Sequence, residues 1–387
     1  MTSVEMQEIL LRNTADLGEL RRQVGGVVSA HTIREQRVGA VLVDLRRRLG
    51  DYLRGFDRDR YKATDDRLLI SSLAVEIAIL DKLGYELGTY DGNFLSGVAA
   101  LLDGRNSAAL DHFSKFVQTA EPINRNIAGA HYLSGMVSYN RRNFSQAIES
   151  FDLAHRLAPP EKPDWQSRIY VAELTHFRRE PKEAVDKAFF DLDSQLKAIE
   201  GKPEHNVLRA TLYLKWGNCY VGAFLDPREP NPMMNNSVAT AHYKQARRWC
   251  PQYAGSESLL PAIIDYSLAQ SLLLTDSVDL ELGKTPSELF ADVFHRLRKI
   301  VLRKREEIIL AQTYFMLGTC AYFSNHVPKD VGEIYLEYAR HQTLTVPSDI
   351  CFYSCITKEL LGRDEFVKQI DFYTSQIERQ NTRRMTQ

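Results

Sequence analysis

Hydrophobic residues recur every three or four positions along most of this 387-residue chain, with polar residues between them. That period places apolar side chains on one face of an α-helix. Runs in which hydrophobic and polar residues alternate are few, and no Asn-Gly turn joins two such runs. Because half-buried β-strands show that alternation, the pattern predicts an all-α protein.

Two stretches share a longer pattern, in which a glycine is followed 16 residues later by a phenylalanine, with an alanine four residues before the phenylalanine. The pairs are Gly97 and Phe113 in FLSGVAALLDGRNSAALDHFSKF, and Gly135 and Phe151 in SGMVSYNRRNFSQAIESF. Each stretch predicts two short amphipathic helices joined by a tight turn. The glycine and the alanine let the two backbones approach closely, and the aromatic ring fills the space beside them.

Two later stretches carry looser copies of the pattern. Gly217 precedes Tyr243 after a longer connection that includes AFLDPREPNPMMN, residues 223–235, and Gly318 precedes Ala339. We interpret the connection either as a plain loop or as a second contact surface. Spacing and residue types agree across the four copies, which predicts a repeated structural unit.

These residues resemble the tetratricopeptide repeat (TPR), most closely over 90–160 and less closely over 210–251 and 311–345. The resemblance implies antiparallel helix pairs stacked into an α-solenoid. On the same basis we interpret residues 164–201, 255–305 and 350–378 as degenerate helix pairs. In the last of these, Cys351 and Cys355 would lie one helical turn apart.

Residues 1–85 carry no repeat, so the predicted domains are an N-terminal helical segment, 1–85, and a TPR-like array, 86–387. Within residues 33–56 a heptad seam runs along one helix and includes Leu45, Leu49 and Tyr52. A helical hairpin formed with an earlier helix over 3–23 would cap the first repeat. A homodimer through residues 33–56 is the alternative.

The resemblance implies that the first helix of each pair lines an inner surface, which in related proteins binds an extended peptide or a helix of another protein. Asn218 fits an asparagine that some members use to hold a terminal carboxylate, but Leu214 stands where their lysine would be, so a hydrophobic peptide or helix is preferred. Each side chain could instead be a packing residue between repeats. The predicted partner-binding residues are Phe94, Tyr132, Met136, Tyr139, Asn140, Leu214, Asn218, Phe315 and Tyr322.

Charge changes this picture only locally. The formal net charge is -1, so the chain as a whole does not attract nucleic acid or an anionic membrane. A basic run is either a solvated helix face or a patch for an anionic partner such as nucleic acid, which we do not favour. Its residues are Arg296, Arg298, Lys299, Arg303, Lys304 and Arg305.

The sequence contains no glycine-rich phosphate loop, no nucleophile elbow and no paired metal histidines. We therefore predict no catalytic activity, cofactor or metal. We predict that Cys351 and Cys355 pack in the core, with a metal or redox role as the alternative. His131 and His176 are predicted either to pack in the core or to line the inner surface. The five scattered cysteines and the absence of a long apolar run predict a cytoplasmic protein that does not insert into membranes.

The leading functional hypothesis is a non-enzymatic scaffold or adaptor that binds a partner protein on the inner surface. The alternative is a regulatory or accessory subunit of a larger complex, with an anionic partner such as nucleic acid contacted through basic helix faces. An enzyme with an unrecognised site is a third, less favoured hypothesis.

Overall fold

The computed structural model describes residues 43–45, 47–54, 64–82, 90–102, 105–120, 126–159, 163–198, 203–224, 232–250, 259–274, 283–301, 307–346, 348 and 350–385. This part of the chain is all-α except for one short β-hairpin, which confirms the predicted fold class. A helical segment at residues 43–45 and 47–54 comes before the numbered helices. The first seven numbered helices are α1 (Thr64–Lys82), α2 (Tyr90–Leu102), α3 (Asn106–Thr119), α4 (Asn126–Asn140), α5 (Phe144–Leu157), α6 (Trp165–Phe177) and α7 (Lys182–Ala198). The remaining elements are α8 (Pro203–Phe224), α9 (Pro232–Trp249), α10 (Leu260–Leu274), α11 (Pro286–Val301), α12 (Glu307–Phe323), α13 (Lys329–Thr345), β1 (Cys351–Tyr353), β2 (Leu360–Gly362) and α14 (Arg363–Met385).

The chain forms two compact units, residues 1–134 and 135–387. The predicted domain boundary, between residues 85 and 86, lies outside the described residues. The predicted helix over 3–23 and much of the proposed dimer segment, residues 33–42 and 55–56, lie outside them as well.

In the first unit, residues 43–45 and 47–54 are helical and bury Leu45, Leu49 and Leu53. Arg48 on this helix donates to both carboxylate oxygens of Glu76 on α1, at 3.0 and 2.5 Å. The N-terminal segment is thus joined to α1 by an ion pair and buries part of the predicted seam within the chain. A homodimer through residues 33–56 stays a prediction.

The glycine positions of the repeat are sites of close helix approach. A Cβ atom added at Gly97 would lie 2.6 Å from the ring of Phe113, and one added at Gly135 would lie 2.8 Å from the ring of Phe151. At Gly217 the nearest atom, at 2.6 Å, belongs to the ring of Tyr243. Real Cβ atoms do not come this close to a ring, so only glycine fits at these three positions. The sequence spacing therefore correctly predicted where the two helices of these pairs meet. At Gly318, the side chain of Leu336 takes the place of the aromatic ring.

In the second unit, first and second helices alternate along the chain. The first helices α6, α8 and α10 contact one another in succession. A hydrogen bond of 2.8 Å between the hydroxyls of Tyr266 and Thr319 joins α10 to α12. The second helices α7, α9, α11 and α13 each pack on the first helix that precedes them. The first helices therefore form one layer of the unit.

The predicted helix pair over 350–378 is wrong in its first half, which is a β-hairpin. Cys351 pairs with Gly362 and Tyr353 with Leu360 in an antiparallel ladder. The turn between the strands is closed by the backbone N–H of Ser354, which donates to the carbonyl of Glu359 at 2.8 Å. Cys351 and Cys355 are consequently not on a helix.

The cause of the error is a coincidence of spacing. Phe352, Ile356 and Leu360 are all buried, and they stand four residues apart as on a helix face. Here the two strands supply Phe352 and Leu360, and the turn supplies Ile356. A short apolar run of this kind fits a strand and a helix equally well.

Candidate functional site

Three side chains of the first-helix layer hold the β-hairpin. The amide of Asn218 on α8 donates to the hydroxyl of Tyr353 at 2.7 Å. The amide of Gln270 on α10 donates to the carbonyl of Ile356 at 2.7 Å, and that of Gln312 on α12 donates to the carbonyl of Tyr353 at 3.4 Å. We call the surface formed by Asn218, Ser267, Gln270, Gln312 and Phe315 the inner face. Two of its contacts go to main-chain oxygens, which every polypeptide carries.

The repeat packing orients Asn218. The buried hydroxyl of Tyr243 donates to the side-chain oxygen of Asn218 at 2.9 Å. Because that oxygen is engaged, the amide nitrogen is the group left to face Tyr353. The ring of Tyr243 packs on Gly217, so the glycine contact that builds the helix pair also sets the direction of the asparagine. Burial raises the pKa of Tyr243, which keeps it protonated as a donor.

Aromatic packing anchors the start of the hairpin and α14. The ring of Phe352 stacks on that of Phe366, with centroids 4.9 Å apart and planes within 6°. Phe366 in turn meets Phe315 edge-on at 5.0 Å. Tyr322 meets Tyr373 of α14 at 5.2 Å. Two predicted partner-binding residues, Phe315 and Tyr322, therefore contact the chain's own C-terminal segment.

A buried ion pair lies between α6 and α8. The ammonium of Lys215 donates to Glu173 at 2.5 Å, and the hydroxyl of Tyr139 donates to the same carboxylate oxygen at 3.0 Å. The Lys215 ammonium also lies 4.5 Å from the centroid of the Tyr170 ring. Burial opposes the charge on Lys215, but the Glu173 carboxylate outweighs it and raises the pKa of the lysine above its usual value. Burial, followed by the negative charge of Glu173, also raises the pKa of Tyr139.

The sequence did not single out Glu173 or Lys215. The available signal was a lone carboxylate in YVAELTHF, a segment otherwise rich in apolar residues. A charge at such a position needs a partner, since an unpaired buried carboxylate is very costly. The partner itself is 42 residues away, and helix periodicity does not identify it.

The predicted partner-binding residues are largely covered by the chain itself. Met136, Asn140 and Tyr322 are partly buried. Phe94 lies between the rings of Phe113 and Phe116, at 5.9 and 5.1 Å, within the first unit. A partner on the inner face would have to take the place of the hairpin, and partner binding by these residues stays a prediction. The buried members of the set are Phe94, Tyr132, Tyr139, Leu214, Asn218 and Phe315.

The basic run is partly engaged within the fold. Arg296 donates to Asp265 at 2.9 Å, and Arg247 lies 3.2 Å from the other oxygen of that carboxylate. Arg298 lies 5.8 Å from the ring of Phe294, and Lys299 is exposed. An anionic partner for this patch stays a prediction. The other three predicted members, Arg303, Lys304 and Arg305, lie outside the described residues.

The two histidines predicted either to pack or to line the inner surface are not fully exposed. His131 and His176 are half-buried, and burial lowers the pKa of His176. Among the described residues, no group of three or more His, Cys, Asp and Glu side chains is arranged to hold a metal ion. The described helices include none whose length and apolar character would allow it to cross a membrane.

No protein-family model and no curated protein matches the sequence.

The hairpin turn buries a lysine. The ammonium of Lys358 donates to the hydroxyl of Ser267 on α10 at 3.0 Å and to the carbonyl of Cys355 at 2.7 Å, and it lies 5.6 Å from the centroid of the Tyr266 ring. Burial lowers the pKa of Lys358 to about 8, an effect that the nearby Cys355 thiol opposes only in part. The backbone of Lys358 is left-handed, with φ of 58°.

This pKa predicts a pH dependence of stability. The folded chain releases the Lys358 proton near pH 8, whereas the unfolded chain holds it up to the ordinary value of 10.5. Between these values the unfolded state binds more protons, so the free energy of unfolding rises with pH, by on the order of 3 kcal/mol across the window. We expect the difference in unfolding free energy between the wild type and Lys358→Met, measured in urea, to show this rise. A pH-independent difference would contradict it.

Proposed function

We propose that this chain is a non-enzymatic helical-repeat scaffold that binds a partner protein on the inner face. The observation that carries the proposal is that the inner face already holds polypeptide. Gln270 and Gln312 donate to main-chain carbonyls of the hairpin, at 2.7 and 3.4 Å. Side-chain donors aimed at main-chain oxygens are suited to an extended segment of varied sequence.

The recurrence of one helix contact supports a TPR-like solenoid as the architecture. The contacts of Gly97 with Phe113, Gly135 with Phe151, and Gly217 with Tyr243 repeat the same geometry. A stack of similar helix pairs presents its first helices on one surface, and such surfaces commonly bind peptides. The scattered cysteines support a cytoplasmic setting as part of the same proposal.

A regulatory or accessory subunit is the second candidate. It is favoured by one feature, the occupation of the inner face by the chain's own residues. A surface that is covered in the isolated chain is suited to a binding event that depends on a change of state.

Selection from a displayed library of random short peptides, with the immobilised full chain as target, tests the scaffold proposal. We expect enriched peptides that carry a photoreactive side chain to crosslink to α8, α10 or α12 of the wild type, because these helices supply the inner face. The matched control is a scrambled peptide of the same composition, which should not crosslink to these helices. Failure to enrich any peptide, or crosslinks confined to other helices, would refute the proposal.

A further inference from the structure

The turn that occupies the inner face fits it imperfectly. Lys358 adopts a left-handed backbone, which costs free energy for any residue with a side chain. Its ammonium is buried, and the acceptors of its two hydrogen bonds, Ser267 and Cys355, are neutral groups. Within the described structure, the Thr357 hydroxyl and the Gln270 amide oxygen are buried without a hydrogen bond. These features lie close together in residues 354–358 and the face beneath them, whereas the left-handed Arg142 and the buried Ser138 hydroxyl are examples of single such features elsewhere in the described chain.

Unfavourable features of this kind reduce the stability of the docked turn. Among the described residues, the Lys358 ammonium has no opposite charge beside it. A buried charge of this kind, and buried polar atoms without hydrogen bonds, each oppose the docking that Phe352 and the three amide donors favour. The ladder between β1 and β2 adds only three residue pairs. A different segment that made the same hydrogen bonds without a buried ammonium would occupy the face more favourably.

We propose that residues 351–362 act as a built-in competitor on the inner face, and that the partner is an extended segment of another protein that takes their place. This inference rests on the proposed scaffold function. The partner segment presents an aromatic hydroxyl to Asn218 and main-chain carbonyls to Gln270 and Gln312, as Tyr353 and Ile356 do within the chain. The apparent affinity for the partner is then set by the stability of the docked hairpin.

Competition between the hairpin and a partner for the inner face predicts two opposite effects of one atom, the phenolic oxygen of the tyrosine that meets Asn218. The apparent affinity for a partner is reduced by the fraction of molecules whose face is covered. Removing the phenolic oxygen of Tyr353 from the protein loosens the competitor and should tighten partner binding. Removing the equivalent oxygen from the partner segment removes a hydrogen bond and should weaken binding. The same atom therefore has opposite effects according to the chain that carries it.

The probe is a capped synthetic peptide with the sequence of residues 350–362, in which serine replaces both cysteines. Its binding to the full chain is measured by fluorescence anisotropy. Relative to the wild type, we expect Tyr353→Phe in the protein to tighten binding about fivefold, and phenylalanine at the same position of the peptide to weaken it about fivefold. Circular dichroism and thermal melts establish that the variant is folded.

Tyr338→Phe is the matched control, since Tyr338 on α13 is 52% exposed and should leave the affinity unchanged. Equal or weaker binding to Tyr353→Phe overturns the inference, and so does absence of binding to either protein. A concentration-dependent dimer of Tyr353→Phe in light scattering would mean that a second copy is the occupant, and it also overturns a separate partner. None of these results decides the scaffold proposal, which the library selection tests independently.

Discussion

Replacing Gly97 by alanine is expected to lower the free energy of unfolding by about 1–3 kcal/mol, the usual cost of overpacking a core. The new methyl group would lie 2.6 Å from the ring of Phe113, which is fully buried, so the ring would have to shift within the packed core. This cost outweighs the gain of up to about 1 kcal/mol that alanine brings to a helix over glycine. Urea unfolding monitored by circular dichroism measures the difference.

Gly92→Ala is the matched control, because it makes the same substitution in the same helix, α2. A Cβ atom at Gly92 meets nothing closer than 3.9 Å, where the methyl of Ile77 makes an ordinary contact. We expect this variant to be as stable as the wild type or more stable. If Gly97→Ala were equally well tolerated, close approach of the helices would not be what defines the repeat.

Replacing Lys215 by methionine should lower the free energy of unfolding by roughly 3–5 kcal/mol, the effect of leaving one charge of a buried pair without its partner. The Glu173 carboxylate is almost fully buried and would keep, among the described residues, only the hydroxyl of Tyr139 as a side-chain donor. The same urea measurement applies.

The double variant Glu173→Gln, Lys215→Met should recover most of the loss, because it removes both charges and leaves an amide that accepts from Tyr139. Lys284→Met, which breaks the exposed ion pair with Asp292, should cost less than about 1 kcal/mol. A comparable small loss for Lys215→Met would show that the pair is effectively solvated.

The sequence was sufficient to predict the helix pairs that carry the glycine pattern, because the contacts that define them are local. Glycine and aromatic residue stand 16 positions apart in the two best copies, so one pattern contains both sides of the contact. Glycine also has a single role there, since any side chain would meet the ring. A local pattern of this kind predicts the helix contact without knowledge of the rest of the fold.

The contacts of the inner face could not be predicted from the same pattern. Asn218 and Tyr353 are 135 positions apart, and Gln270 and Ile356 are 86 apart. Helix periodicity indicates which side of a helix is apolar, but it does not indicate which distant segment covers that side. The hairpin was missed for a further reason, because its buried residues repeat at a helical interval. The predicted lining therefore left out the hairpin that covers it, and partner binding by those residues stays a prediction.

The most direct test of the central claim is amide hydrogen exchange of the hairpin turn, with and without the capped peptide copy of residues 350–362. In the full chain alone, the amides of Ser354 and Lys358 should be protected, since they donate to the carbonyls of Glu359 and Ser354 at 2.8 and 3.0 Å. With the peptide at saturation, both amides should lose protection while those of α10 keep it. If Ser354 and Lys358 stayed protected while the peptide was bound, the hairpin would be a fixed part of the fold and not the occupant of a binding face.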